Sequence, residues 1–228
     1  MILKSGPSME NGTPKRKIFG VALDASDDPI SLHLKLGSMM AREKGDNHWY
    51  ADPYDALIEK LPHGPHLEYV GKFPVPSWLG PRPLLSDRPL VHSENFQRFY
   101  DEKGFLKISQ QVKDFVTEKI LPDTPVMIGI DHSATGGVLS ALSEHHGAEN
   151  ISVVVLDQHF DALPASLRTE AGLRAHRNLE PDMITMPFGT LGSDEYCCGN
   201  FWAYLMDDGA LLPENLSFIG VADYPRED

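Results

Sequence analysis

Cysteine is nearly absent from this 228-residue chain: it has two, Cys197 and Cys198, and they are neighbours. A disulfide asks for Cα atoms about 4.4–6.8 Å apart, whereas adjacent residues across a trans peptide stand about 3.8 Å apart. No disulfide framework is expected, which fits a reducing, cytoplasmic setting. Long hydrophobic runs are missing too. No stretch approaches the roughly 18 apolar residues of a membrane helix, and the opening MILKSGPSMENGTPKRK lacks the apolar core of a secretory signal. No membrane partner is expected. Positive charge is also scarce: 20 Lys and Arg face 33 Asp and Glu, a formal net charge of -13. That field repels a polyphosphate strand, so no nucleic-acid partner is expected, whereas a cationic small molecule would be favoured.

What is present is ordinary globular composition, 41% hydrophobic and 23% charged, with length for one α/β domain. Residues 1–16 are polar and read as a flexible N-terminus; residues 17–228 read as the folded domain. Ile18 to Leu23 (IFGVAL) is a buried strand ending at Asp24. Asp52-Pro53 opens a helix through Leu61, Asp as N-cap and Pro at N1. Leu67 to Val75 is a second strand, and Pro74 to Pro89 a proline-rich loop. A helical pattern runs from Glu94 to Ile120 with a break at Gly104. Val126 to Ile130 is a strand, Gly136 to His145 a helix closed by Gly147, and Phe201 to Met206 another helix before the strand Leu216 to Val221. A loop holds Met183 to Met186. Strands alternating with helices imply a three-layer α/β/α fold with a mainly parallel sheet.

The chemistry gathers behind two of these strands. Ile151 to Leu156 (ISVVVL) is a β-branched run of the kind found in a parallel strand covered on both faces. It runs into Asp157-Gln158-His159-Phe160-Asp161. A strand period of two puts Asp157, His159 and Asp161 on one side. His132 follows the strand VMIGI, so it meets the other three if the two strands are close. By itself D-x-H-x-D arises by chance, but burying three polar residues at a strand end needs a reason. Carboxylates with neutral imidazoles suit a borderline-hard divalent ion and fit manganese better than a thiolate set would, with zinc, iron, cobalt and nickel left open. Several carboxylates around one point call for two ions, which lower the pKa of a water held between them. His145 and His146 read as helix C-terminal residues, His63 and His66 as exposed loop residues, and Asp24 and Asp223 as turn or cap residues.

These residues resemble the ureohydrolases, the family of arginase, agmatinase and formimidoylglutamase. The family motif G-G-D-H-S corresponds to Gly129-Ile130-Asp131-His132-Ser133, and D-A-H-x-D to Asp157-Gln158-His159-Phe160-Asp161. The 25 residues from His132 to Asp157 match the family's spacing. The resemblance implies an arginase-like domain and a manganese-dependent hydrolase of linear amidines, cleaving a C–N bond of a guanidino or formimidoyl compound. It implies two Mn2+ ions, with Asp157 bridging, His132 and Asp161 completing one set and His159 the other. It implies Asp161 as a catalytic residue that steadies the tetrahedral intermediate, and a homo-oligomer.

Departures from the family pattern set further expectations. The family's proton-shuttle histidine in H-G-x is matched by Cys198-Gly199-Asn200, which makes Cys198 the catalytic counterpart; His176 is a second candidate. Ala162-Leu163 stand where arginases place a carboxylate-binding asparagine, which argues against arginine as substrate. The third motif, S-x-D-x-D-x-x-D-P, should follow LSFIGV, yet the sequence ends at Asp228. The expectation is a C-terminally truncated member with strands missing inside its sheet, which by itself does not turn over guanidino compounds. Two alternatives stay open: a metal-poor remnant or interaction domain of the same fold, and a zinc deacetylase of the related fold, which would need a paired His-His in its pocket.

Overall fold

The computed structural model describes residues 14–45, 52–162 and 194–222. Residues 1–13, with most of the expected flexible N-terminus, lie outside them, as do Met183 to Met186, His176 and Asp223. Among the described residues, five parallel strands form two sheets. In the first the order is β2 (Leu67–Lys72), β1 (Arg16–Val21), β3 (Thr124–Gly129); in the second, β4 (Val153–Leu156) pairs with β5 (Leu216–Ile219).

Side-chain alternation along β1 sorts the layers. Phe19 meets Phe115 of α4 (Gly104–Lys119), ring centroids 5.4 Å apart. On the opposite face Gly20 lies under Tyr54 of α2 (Pro53–Ile58), where any Cβ would come within 2.7 Å of the Tyr54 ring and Cβ. Helices therefore cover both faces of this sheet, the three-layer arrangement expected. The helical pattern after Glu94 does split in two: α3 (Ser93–Asp101) ends, Lys103 adopts a left-handed φ of 62°, and α4 begins at Gly104.

One helix is missing from the sequence reading. α1 (Pro29–Glu43) fills the stretch between Asp24 and Asp52. Its start signal is the one recognised at Asp52-Pro53: Asp28 accepts hydrogen bonds from the Ile30 and Ser31 amides, and Pro29 stands at N1. Its buried face hides the pattern, because the residue buried at its middle is Lys35.

The second sheet departs from expectation on one point. Val153, Val155, Leu216 and Phe218 pack into the core, where Trp202 of α6 (Phe201–Asp207) stands edge-on to Phe218. Their neighbours point outward: Val154 is 62%, Leu156 77% and Ile219 58% exposed. Among the described residues β4 is thus covered on one face, not both. β3 and β4 do not pair, so each keeps an edge with no strand partner among the described residues.

Candidate metal centre

Strand order places the site. The chain leaves β1 for β2 on one side and then crosses to β3 on the other, so the connections diverge between the carboxyl ends of β1 and β3. Such a divergence opens a crevice where ligands bind in open α/β sheets. Here it is a cavity of about 300 Å³. The segment after β1 contributes Asp24 and Ser26, and the segment after β3 contributes Ile130, Asp131 and His132. The segment after β4 brings His159 and Asp161, and the loop before α6 brings Cys198.

His132 immediately precedes α5 (Ser133–His146), as its position beyond β3 requires. Its Nδ1 lies 3.2 Å from Asp161 Oδ2 and 3.5 Å from Asp157 Oδ2. Ligand atoms of His132, Asp157 and Asp161 all fall within 4.8 Å of one another. Metal–ligand bonds of about 2.1 Å put neighbouring ligands roughly 3 Å apart, so a small divalent ion fits with slight closure. His159 stands apart from this trio. It is exposed, and its Nδ1 is 3.6 Å from the other oxygen of Asp157, Oδ1. The two oxygens of Asp157 therefore face different histidines.

Strand pleating does not produce this arrangement. β4 stops at Leu156, and Asp157 Oδ1 accepts the His159 amide at 3.0 Å, a side-chain turn. Asp161 then takes a left-handed φ of 49°. The turn, not the period of two, carries Asp161 back beside Asp157 and leaves His159 outside.

The cluster is short of positive charge. The hydrogen bond that Asp161 accepts from the imidazole of His132 raises the His132 pKa against the effect of burial, helped by the charges of Asp161, Asp157 and Asp131. The His159 amide does most to lower the Asp157 pKa. Burial raises that of Asp131, whose Oδ1 accepts the Ser133 amide. The carboxylate excess that attracts a proton to His132 would equally stabilise a cation among these groups.

The loop that carries Cys198 into the cavity is anchored by an unanticipated residue outside the lining, Tyr196. Its buried hydroxyl donates to the Ser133 carbonyl and bonds Ser109, tying the loop before α6 to the first turn of α5. Asn200 tightens that loop by accepting the Cys197 amide at 2.8 Å and donating to the carbonyls of Asp194 and Glu195. Cys198 is thereby set in the cavity wall. A hydrogen bond with Cys197, burial and the charges of Asp131 and Asp161 raise its pKa well above the ordinary thiol value.

Asp24 is not the turn or cap residue the sequence suggests. It is buried and pairs at 3.1 Å with Lys35, which is itself fully buried and donates to the Gly80 carbonyl. Only the tertiary fold, which threads α1 past β1, brings these two together. Four other histidines fall where expected: His145 and His146 end α5, and His63 and His66 are exposed.

The model of the arginase family matches residues 68–228, a span holding all five candidate site residues. The chain belongs to the arginase family, a family of hydrolases. Among solved structures it is similar to the proclavaminate amidino hydrolase of Streptomyces clavuligerus, at 16% identity and a TM-score of 0.46 over 93% of this chain and 54% of that one. It is similar to the arginase of Bacillus subtilis at 16% identity and a TM-score of 0.43, covering 93% and 58%. It is similar to the formimidoylglutamase of Bacillus subtilis at 15% identity and a TM-score of 0.44, covering 99% and 58%. The chain thus spans little more than half the length of these structures. Comparison with curated proteins finds no match.

Proposed function

We propose that this chain carries the core of a two-metal hydrolase centre acting on a C–N bond of a cationic guanidino or formimidoyl compound. The observation that carries the proposal is the convergence of His132, Asp157 and Asp161, with His159 on the second oxygen of Asp157. His132 and Asp161 would hold one ion, His159 the other, and Asp157 both. Manganese suits this mixture of carboxylate and imidazole donors. A bound divalent pair supplies Lewis-acid polarisation and an acidified water.

The chain's own residues do the rest. Asp161 gives the cavity an acidic lining, beside Asp131 and the Lys35-paired Asp24, which attracts an amidinium group. Asp161 is placed to accept a hydrogen bond from nitrogen on the carbon under attack. Cys198 keeps its proton at neutral pH, which suits donation toward a departing amine and not removal of a proton from water. A deacetylase-type His-His pair has no support. His145 and His146 lie at the far end of α5, about 20 Å along a 14-residue helix from the cavity.

No helix among the described residues is long and apolar enough to cross a membrane, and a cytoplasmic home and self-association complete the proposal. The test is equilibrium dialysis with Mn2+, with metal counted per chain, beside an assay of urea and ammonia release from guanidino and formimidoyl compounds. Saturable manganese binding that weakens at least tenfold in Asp161→Asn supports the reading. Binding that is undetectable, or untouched by that substitution, refutes it.

A further inference from the structure

The loop before α6 carries both thiols of the 228-residue chain, Cys197 and Cys198, side by side. Cys198 is partly exposed and lines the cavity of about 300 Å³, whereas Cys197 is buried in the core. The two side chains share a hydrogen bond, so their sulfurs lie close together on one side of the loop. The hydrolase chemistry proposed above uses Cys198 alone and leaves the pair unexplained.

The pair is held in place from both flanks. Asn200, itself buried, accepts the Cys197 amide at 2.8 Å and donates to the carbonyls of Asp194 and Glu195 at 3.3 and 3.0 Å. On the other side the Tyr196 hydroxyl bonds the Ser133 carbonyl and Ser109. A loop fixed in this way lowers the ordering cost of a ligand that must engage both thiols at once.

The chemistry of the pair selects the ligand. A direct disulfide between neighbours is strained by its geometry. A single bridging atom enlarges that ring by one member and relieves the constraint. Sulfur donors select a soft bridging atom. A divalent metal would need thiolates, which the nearby charges of Asp131 and Asp161 disfavour. A trivalent arsenic centre needs no ionised thiol. Each As–OH condenses with one S–H: an As–S bond forms, the As–O and S–H bonds break, and hydroxyl and proton leave together as water. Neither arsenic nor sulfur changes oxidation state.

We propose that Cys197 and Cys198 form a dithiol site for trivalent arsenicals, held by two As–S bonds at the wall of the cavity. The first bond forms at Cys198, which the cavity exposes. The second, at Cys197, is then intramolecular and favoured by a high effective concentration. The site uses none of the candidate metal ligands and needs no bound metal, so its failure and that of the hydrolase reading are read separately.

The experiment is a titration of the purified, reduced chain with phenylarsine oxide in the presence of EDTA. Bound arsenic is counted by elemental analysis, and remaining thiols by maleimide labelling in urea. The expected result is one arsenic per chain with both thiols consumed. Dithiothreitol should release the arsenic, and 2-mercaptoethanol at the same thiol concentration should not. Cys197→Ser and Cys198→Ser each keep one thiol and should bind at least tenfold more weakly, with an unchanged circular dichroism spectrum. One arsenic bound with one thiol left free overturns the proposal, and the wild-type chain alone decides that point should either variant fail to fold. Equal affinity in the folded Cys197→Ser protein, or release by 2-mercaptoethanol as readily as by dithiothreitol, overturns it too.

Discussion

At the scale of single residues, Asp157 differs from its neighbours because its two oxygens serve different partners. Asp157→Ala should therefore remove more metal than His159→Ala: both ions in the first case and one in the second, read by elemental analysis after dialysis against manganese. Equal loss of one ion in both proteins would contradict the bridging role. The raised pKa of His132 gives a second test. A histidine ligates only when neutral, so divalent affinity should fall as pH drops through that raised value. In the metal-free protein the sign for stability is opposite. A folded pKa above the unfolded one contributes stability that is present below about 6.5 and is lost as pH rises through the folded value. Asp161→Asn removes the largest cause and should move the His132 titration down, measured by NMR on the imidazole C–H. An unmoved titration would show that Asp161 is not what holds the proton.

At the scale of elements, α1 and α5 carry separable contributions. Burial acts to raise the Asp28 pKa, and hydrogen bonds from Ser26, Ser31 and Ile30 overcome it and lower it. Its stabilisation of α1 is thus present above the ordinary carboxylate pKa and is lost as pH falls through the depressed value. Asp28→Ala should cost about 1 kcal/mol at neutral pH, with the difference from wild type shrinking in acid, read from urea denaturation at pH 7 and pH 3.5. In α5, Gly137 faces the α4 backbone so closely that a Cβ would stand 2.1 Å from the Ser109 carbonyl oxygen. A shift of one helix is then unavoidable. Gly137→Ala should destabilise by about 1–3 kcal/mol despite alanine's better helix propensity, and because α5 carries His132 at its start, metal affinity should fall with it. A gain in stability would show that the two helices separate freely.

At the scale of the whole molecule, the outer face of β4 and β5 shows Val154, Leu156 and Ile219 to solvent. Parallel strands are normally covered on both sides, and unpaired strand edges invite pairing with other chains. We expect the 228-residue chain to self-associate at micromolar concentration. The double substitution Val154→Lys, Leu156→Lys should reduce association, measured by light scattering after size exclusion, without changing the manganese affinity. Unchanged association would place the contact elsewhere.

Sequence alone determined those features that rest on local chemistry. The helix start at Asp52-Pro53, the break before Gly104 and the apolar strands could be read directly, because capping, steric breaking and β-branched runs act over a few residues. His132, Asp157, His159 and Asp161 could be singled out as candidates because metal-type side chains gathered at the ends of apolar strands are costly unless they have a purpose. Tertiary structure decided how those side chains are arranged. The turn at Asp157 and the left-handed Asp161 override the strand period, so His159 stands outside the trio. It also decided the partners that lie far apart in the chain: Lys35 with Asp24, and Tyr196 with Ser133. No local pattern encodes such pairs. A buried lysine looks like a surface residue until the carboxylate that compensates it is brought against it by the fold.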